Sequence, residues 1–359
     1  MKLEGQVRIP SGCAISAVIS REGRRMTGED IIRSMVPMHD RSNGLGGGFA
    51  AYGIYPEHRE EYAFHIFFDD NTTRRECEAM LKEGFELVDA ELIPIRIIPE
   101  ITDIPHIWRY FVRPLNSVLA RLQLDEKEFV ARTVMDINTK LKGAYLFSSG
   151  KNMGTFKAVG YPEDVGRFYR LEEYEGYSWT AHGRYPTNTP GWWGGAHPFS
   201  LLDWSIVHNG EISSYDANRR CIEMYGYKCN LQTDTEVIAH LLHYLYRGNM
   251  VQALREASGM LEGSWALCVL HRGEPDKFWA TRKDSPLVLG LGEGENLAAS
   301  DIPAILGHTR EIALLEDKEI AEVRADGVRI LTPMGGERPV RTFHVDWDVA
   351  AAEKGGWPH

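Results

Sequence analysis

The chain has 359 residues, 43% of them apolar and 25% charged, with a net charge of -11; that is the composition of a folded globular protein with enough apolar residues for one large or two ordinary domains. The acidic surplus argues against a nucleic-acid partner, which calls for clustered Lys and Arg. No run approaches the about 18 to 20 apolar residues of a membrane span.

The first twelve residues, "MKLEGQVRIPSG", lack the apolar core of a secretory signal, and a cytoplasmic location is expected. The five cysteines (Cys13, Cys77, Cys221, Cys229 and Cys268) contain no C-x-x-C pair, so neither a disulfide framework nor a zinc ribbon is expected. After the lead, "CAISAVIS" reads as a buried strand that opens with Cys13. "TGEDIIRSMVPMHDR" reads as a helix with Thr27 or Asp30 near its start. The glycines at 44 and 46–48 follow a helix and lack a G-K-[ST] ending, so they indicate a tight approach of backbone to a neighbouring strand rather than a phosphate loop.

Residues 60–110 place strand-like "YAFHIFF" and "IPIRIIP" around a helical "TRRECEAMLKEGF". "DEKEFVARTVMDINTK" follows as a helix or a helix-strand pair, "AYLFSSG" and "TFKAVG" as paired strands, and "PEDVGRFYRLEE" as a short helix. From residue 178, "YSWTAHGRYPT", "WSIVHNGEIS", "WALCVLH", "KFWATRK" and "PLVLGLG" read as strands, with "DTEVIAHLLHYLYRGNMVQALREASGML" as one or two helices among them. Two strand-rich groups with helices outside them predict an α+β fold, sheet packed on sheet between helix layers. His240 and His243 lie one helical turn apart without a third ligand nearby in sequence, so they read as helix-face residues and no metal site is expected.

A cysteine exposed at a chain terminus can use its own α-amine as a base, because that amine has an ordinary pKa of about 8. By default a lone cysteine on a strand is an inert buried thiol. What distinguishes Cys13 is the company of "HGRYPTNT", "AHPF", "HNGEI" and "TDTE", which in this order resemble the signature blocks of class II glutamine amidotransferases. Those enzymes are N-terminal-nucleophile hydrolases that convert glutamine to glutamate and ammonia. The resemblance runs from Cys13 to about residue 330 and implies a four-layer αββα sandwich of two antiparallel sheets.

It also implies roles. Cys13 is the expected nucleophile, and Asn209 with Gly210 the expected oxyanion hole. Arg184 matches the family's carboxylate-binding arginine and Asp234 its acidic partner for the α-ammonium. Thr187 and His197 fall where related enzymes line the glutamine pocket. These types suit free glutamine, which brings a carboxylate, an amine and an amide to be met by a cation, an anion and oxyanion donors. The lead resembles a propeptide cleaved between Gly12 and Cys13. The expected domain is residues 13–335 with an insertion at about 60–170, followed by a tail, 336–359. "PGWWGG" is expected to form a flap over glutamine, with Trp192 and Trp193 excluding water.

Two acceptors compete. The insertion, the "SSGKNMGTFKAVGYPEDVGRFYRLEE" stretch and the Thr-Asn-Thr block resemble the glutaminase part of glutamate synthase. This implies an acceptor subunit that carries FMN and iron-sulfur clusters, none of which this chain is expected to hold. "DSPLVLGLGEGENLAASDIPAIL" and "DWDVAAAEKGGWPH" resemble instead glucosamine-6-phosphate synthase. A catalytically silent subunit that holds glutamine as a regulatory ligand is the rival of another class.

Overall fold

The computed structural model describes residues 12–20, 24–185, 191–231 and 233–348. Strand Ala14–Ser20 shows why a sandwich forms. Its seven residues are all buried, and they alternate between two cores. Ala14 and Val18 join Ile31, Met35, Val165 and Phe168 from helices Gly28–Met35 and Pro162–Phe168. Ile15, Ala17 and Ile19 join Val207, Ala266, Cys268, Leu270 and Ala280 from a second sheet. A period of two with both faces apolar requires a layer on each side.

The first sheet has eight strands and centres on Ala14–Ser20, which pairs antiparallel with Ser178–Gly183 on one side and Glu295–Ala299 on the other. The second has seven strands, with Trp204–Ile212, Gly263–His271 and Lys277–Lys283 adjacent and antiparallel. Helices Asp234–Leu245 and Met250–Met260 cover its outer face through Val237, Ile238, Leu241 and Leu254. The order helix, sheet, sheet, helix is the expected αββα sandwich.

An extra layer is inserted between the first sheet's strands Gly47–Tyr52 and Met153–Ala158. It is a four-stranded sheet built from residues 62–148, with helices Asn71–Gly84 and Glu126–Lys140 on one face. Strand Tyr62–Phe68 is buried on both faces: Phe64, Ile66 and Phe68 meet the inserted helices, and Ala63 and Phe67 meet the sandwich. Asp70 starts the first of these helices, accepting from the N–H groups of Thr72 and Thr73 at 2.8 Å each.

Three sequence expectations change. "IPIRIIP" forms no strand: Pro94 and Pro99 offer no N–H, and the ladder partner of Tyr62–Phe68 is His106–Pro114, itself paired with Phe85–Leu92. "AYLFS" and "MGTFKA" are not a hairpin, because Ala144–Ser148 pairs with Tyr62–Phe68 in the inserted sheet and Met153–Ala158 with Gly47–Tyr52 in the first sheet. The stretch after residue 335 is not outside the fold, since Thr342–His344 adds an edge strand to the first sheet.

Candidate active site

Strand register brings the first two candidate residues together. Ala14 lies opposite Gly183, so Cys13 and Arg184 follow as neighbours beyond the ends of the two strands. Tyr185 donates its N–H to the Cys13 sulfur at 3.3 Å. Ser300, just past strand Glu295–Ala299, accepts from the N–H of Ile15 at 2.9 Å and holds the start of strand Ala14–Ser20. Burial pushes the Cys13 thiol up, while the Tyr185 N–H and the Arg184 charge draw it down. Among the described residues no histidine is hydrogen-bonded to that thiol.

The Arg184 backbone is pinned by the glycine-rich loop: its N–H donates to Gly46 O at 2.8 Å, and its carbonyl accepts from Ser42 Oγ at 3.0 Å. Gly48, opposite His182, is where that loop meets the rest of the site. A Cβ there would lie 2.2 Å from the His197 carbonyl, so only glycine lets the two backbones cross. This is the close approach the sequence indicated.

Asn209 and Gly210 come from the second sheet, on strand Trp204–Ile212. Asn209 is 2% exposed, and its Nδ2 is buried with no hydrogen-bond partner among the described residues. A buried amide N–H left unpaired costs about 1–3 kcal/mol, so it marks a place where a ligand acceptor belongs. Gly12 lies against it: a Cβ on Gly12 would be 3.2 Å from Asn209 Oδ1 and 3.3 Å from Nδ2. Gly210 has φ +131°, and a Cβ there would strike the Ser264 carbonyl at 2.1 Å; no other residue fits.

Asp234 opens helix Asp234–Leu245 and accepts from the N–H of Ile212 at 3.1 Å, which ties it to the end of the Asn209 strand. Burial raises its pKa, but His208, beside it at 3.6 Å, and the N–H groups of Ile212 and Thr235 outweigh that and hold the carboxyl below its ordinary value. Burial lowers the pKa of Arg184, and the Cys13 and Asp234 charges oppose that. A cation and an anion therefore flank one thiol.

His197 is placed differently from the pocket-lining position expected of it. It is 5% exposed, and both ring nitrogens bond within the protein, Nδ1 to His182 Nδ1 at 3.1 Å and Nε2 to Thr235 Oγ1 at 2.7 Å. Burial holds His182 down to about 3 and His197 well below its ordinary value, so both rings are neutral. The tautomers then follow. His182 Nε2 faces the His208 carbonyl at 2.8 Å and must donate. Its Nδ1 accepts from His197, whose Nε2 accepts from Thr235, whose oxygen accepts from His208 Nδ1 at 3.0 Å. This closed ring starts and ends at His208, the residue before Asn209, so His197 braces the oxyanion candidate from behind.

Thr187 lies outside the described residues. Within the stretch expected to form a flap, Pro190 lies outside the described residues; Trp193 is buried against Phe67 and Phe168, at ring distances of 5.5 and 5.7 Å, whereas Trp192 is 45% exposed and leans on Tyr145 at 5.1 Å. Large apolar rings seated in a core act as anchors. His182, Thr235, Tyr185 and Ser300 were not singled out by the sequence. The alternation of Trp179 and Ala181 into the outer core would have turned His182 inward. Among the described residues no group of three or more His, Cys, Asp or Glu could hold a metal ion, and none of their helices is long and apolar enough to cross a membrane.

Two antiparallel sheets between helices, with a cysteine at the open end of a central strand, define the N-terminal-nucleophile hydrolase fold. Glutamine phosphoribosylpyrophosphate amidotransferase from B. subtilis has the same fold, with a TM-score of 0.54 at 13% identity over 89% of this chain and 49% of that one. The chain matches the family model described as glutamine amidotransferases class-II over residues 48–246, and a second glutamine amidotransferase domain model over 193–307. It belongs to the class-II glutamine amidotransferases. It is 42% identical over 343 residues, 90% of each chain, to an uncharacterized protein of Archaeoglobus fulgidus. It is 48% identical over 155 residues to the glutamine–fructose-6-phosphate aminotransferase of Clostridium tetani, and 43% identical over 183 residues to that of Clostridium acetobutylicum. The chain spans 26% and 29% of the length of those two enzymes.

Proposed function

We propose that this chain hydrolyses L-glutamine to glutamate and ammonia with Cys13 as nucleophile, once cleavage between Gly12 and Cys13 has freed the α-amine. The Asn209 Nδ2 carries this reading, since it is a buried donor next to the thiol strand with no acceptor among the described residues. Release of Gly12 uncovers that donor and supplies the base in one step.

The Cys13 sulfur attacks the side-chain amide carbon, and the α-amine takes the thiol proton. Asn209 Nδ2 and the Gly210 N–H hold the oxyanion, each donor contributing about 2.7–4 kcal/mol to the transition state. The C–N bond breaks as the amine returns the proton to the leaving nitrogen, giving ammonia and a glutamyl thioester. Water then cleaves the thioester and restores the thiol. Arg184 binds the α-carboxylate with a two-pronged guanidinium contact, and Asp234 the α-ammonium. Glutamate release by purified protein tests this: the wild type is active, and Cys13→Ala loses at least about a thousandfold. A variant as active as wild type would end the account.

For the ammonia acceptor, two readings rest on different observations. The inserted layer at 62–148 supports the first: a glutamate-synthase-type partner that makes glutamate from 2-oxoglutarate with its own FMN and iron-sulfur clusters. The 48% identity to a fructose-6-phosphate aminotransferase supports the second, a sugar-phosphate acceptor that becomes an amino sugar. Co-purification separates them: a flavin absorbance in the complex favours the first, and a colourless sugar isomerase the second.

A further inference from the structure

Behind the site lies a chamber of about 40 Å³ whose walls carry Lys157, Glu236, His240, Tyr145, Ser200 and Asn230. Lys157 is 1% exposed and Glu236 8%, and neither belongs to the chemistry above. Lys157 Nζ donates to the Gly194 carbonyl at 2.9 Å and sits 4.6 Å from the centre of the Phe199 ring, with Tyr145 and Phe147 at 5.6 and 5.8 Å. Gly194 belongs to the 191–196 loop, where a Cβ at the next residue, Gly195, would lie 3.6 Å from Arg184 Nη1. Lys157 thus fixes the wall against which the Arg184 guanidinium rests.

Glu236 does the same on the other side. Its two oxygens accept from the N–H groups of Asn230 and Leu231 at 3.0 and 2.9 Å, which fixes the segment leading into Thr233 and Asp234. Each of the pair favours the other's charge, yet among the described residues no ion pair within 4.0 Å joins them. Both line the same chamber, whose volume is enough for ordered water. His240 Nδ1, one turn after Glu236, is buried with no partner among the described residues, a further polar atom for such a water to meet.

Burying these charges is costly: burial lowers Lys157 to about 7 and raises Glu236 to about 7 despite their attraction. A buried pair of this kind is poor evidence for stabilisation, since apolar replacements of similar size are often neutral or stabilising. Its geometric consequence is the tie between two loops, one supporting the residue for the glutamine carboxylate and the other the residue for its ammonium.

We infer that Lys157 and Glu236 are a coupled pair of positioning residues that set the distance between Arg184 and Asp234 through water held in this chamber. The inference rests on the glutamine-binding reading above. The test measures glutamine hydrolysis by the processed protein and glutamine binding by calorimetry in a Cys13→Ala background, for Lys157→Met, Glu236→Gln and the double variant. Each single variant is expected to raise KM and Kd about tenfold with kcat within about twofold, and the double variant to be no worse than about tenfold. The discriminating readout is the split itself, a raised KM and Kd with kcat retained, which a lysine that merely stabilises the fold would not give. Unchanged KM and Kd in both single variants, with a wild type that binds and hydrolyses glutamine, would overturn the pair alone. Effects multiplying to about a hundredfold would overturn the coupling. A wild type that neither binds nor hydrolyses glutamine would bring down the functional reading and this inference together.

Discussion

Two asparagines separate the edge of the sandwich around Cys13 from the inserted layer. Asn138, on an inserted helix, uses both ends of its carboxamide on one backbone residue, donating to the Leu146 carbonyl at 2.9 Å and accepting from its N–H at 2.7 Å. Asn209 is more buried, and its Nδ2 has no partner among the described residues. The first closes a helix onto a strand. The second holds an unused donor at a fixed point, as an oxyanion site requires and a packing residue does not. The difference teaches that function here is read from what the fold leaves unsatisfied.

Replacing each asparagine sharpens the contrast. Asn209→Ala is expected to lower kcat/KM for glutamine by about 10²–10³ and to leave the melting temperature nearly unchanged, because it removes an unpaired donor. Asn138→Ala is expected to cost about 2 kcal/mol of stability by orphaning the Leu146 backbone, with kcat/KM within about twofold. Steady-state kinetics and thermal melts on the two variants decide the matter; equal effects on both readouts would erase the comparison.

Arg184→Lys comes next. A lysine keeps the charge but loses the fork, so KM for glutamine is expected to rise about tenfold, with a smaller change in kcat. An unchanged KM would place the carboxylate elsewhere. The pH dependence of stability probes the ring behind Asn209. His182 and His197 have folded pKa values below their unfolded ones, so the unfolded chain takes up protons first as pH falls through about 6.5. Stability is therefore full above that pH and lost below it, by about 2 kcal/mol per histidine at pH 5. Melting curves at pH 7 and pH 5 read this, and His197→Asn should shrink the difference. The smallest effect is expected from Trp192→Ala, which loosens contact with Tyr145 and should change KM by less than about twofold.

Much of this was legible in the sequence where one strand or one short block carried the information. The alternation in "AISAVIS" specified two cores, and Gly48 and Gly210 sit where a side chain would strike a carbonyl. The pairing of Ala144–Ser148 and Met153–Ala158 with different sheets was not legible, because two adjacent apolar strands look like a hairpin until the inserted layer separates them. His197 reads as a ligand contact in isolation; its role as a brace depends on Thr235 and His182, 38 and 15 residues away in the chain. The burial of Trp193 was not legible for a related reason, since its turn-rich loop says nothing of Phe67 and Phe168 beneath it.

The most direct test is covalent trapping. Protein incubated with a glutamine analogue bearing an electrophilic ketone in place of the amide is analysed by intact mass and peptide mapping. The account predicts one adduct, on the sulfur of a peptide whose first residue is Cys13, with labelling slowed by excess glutamine and absent in Cys13→Ala. An adduct on another residue, or glutamine-protected labelling of a chain in which Gly12 still precedes Cys13, would contradict it.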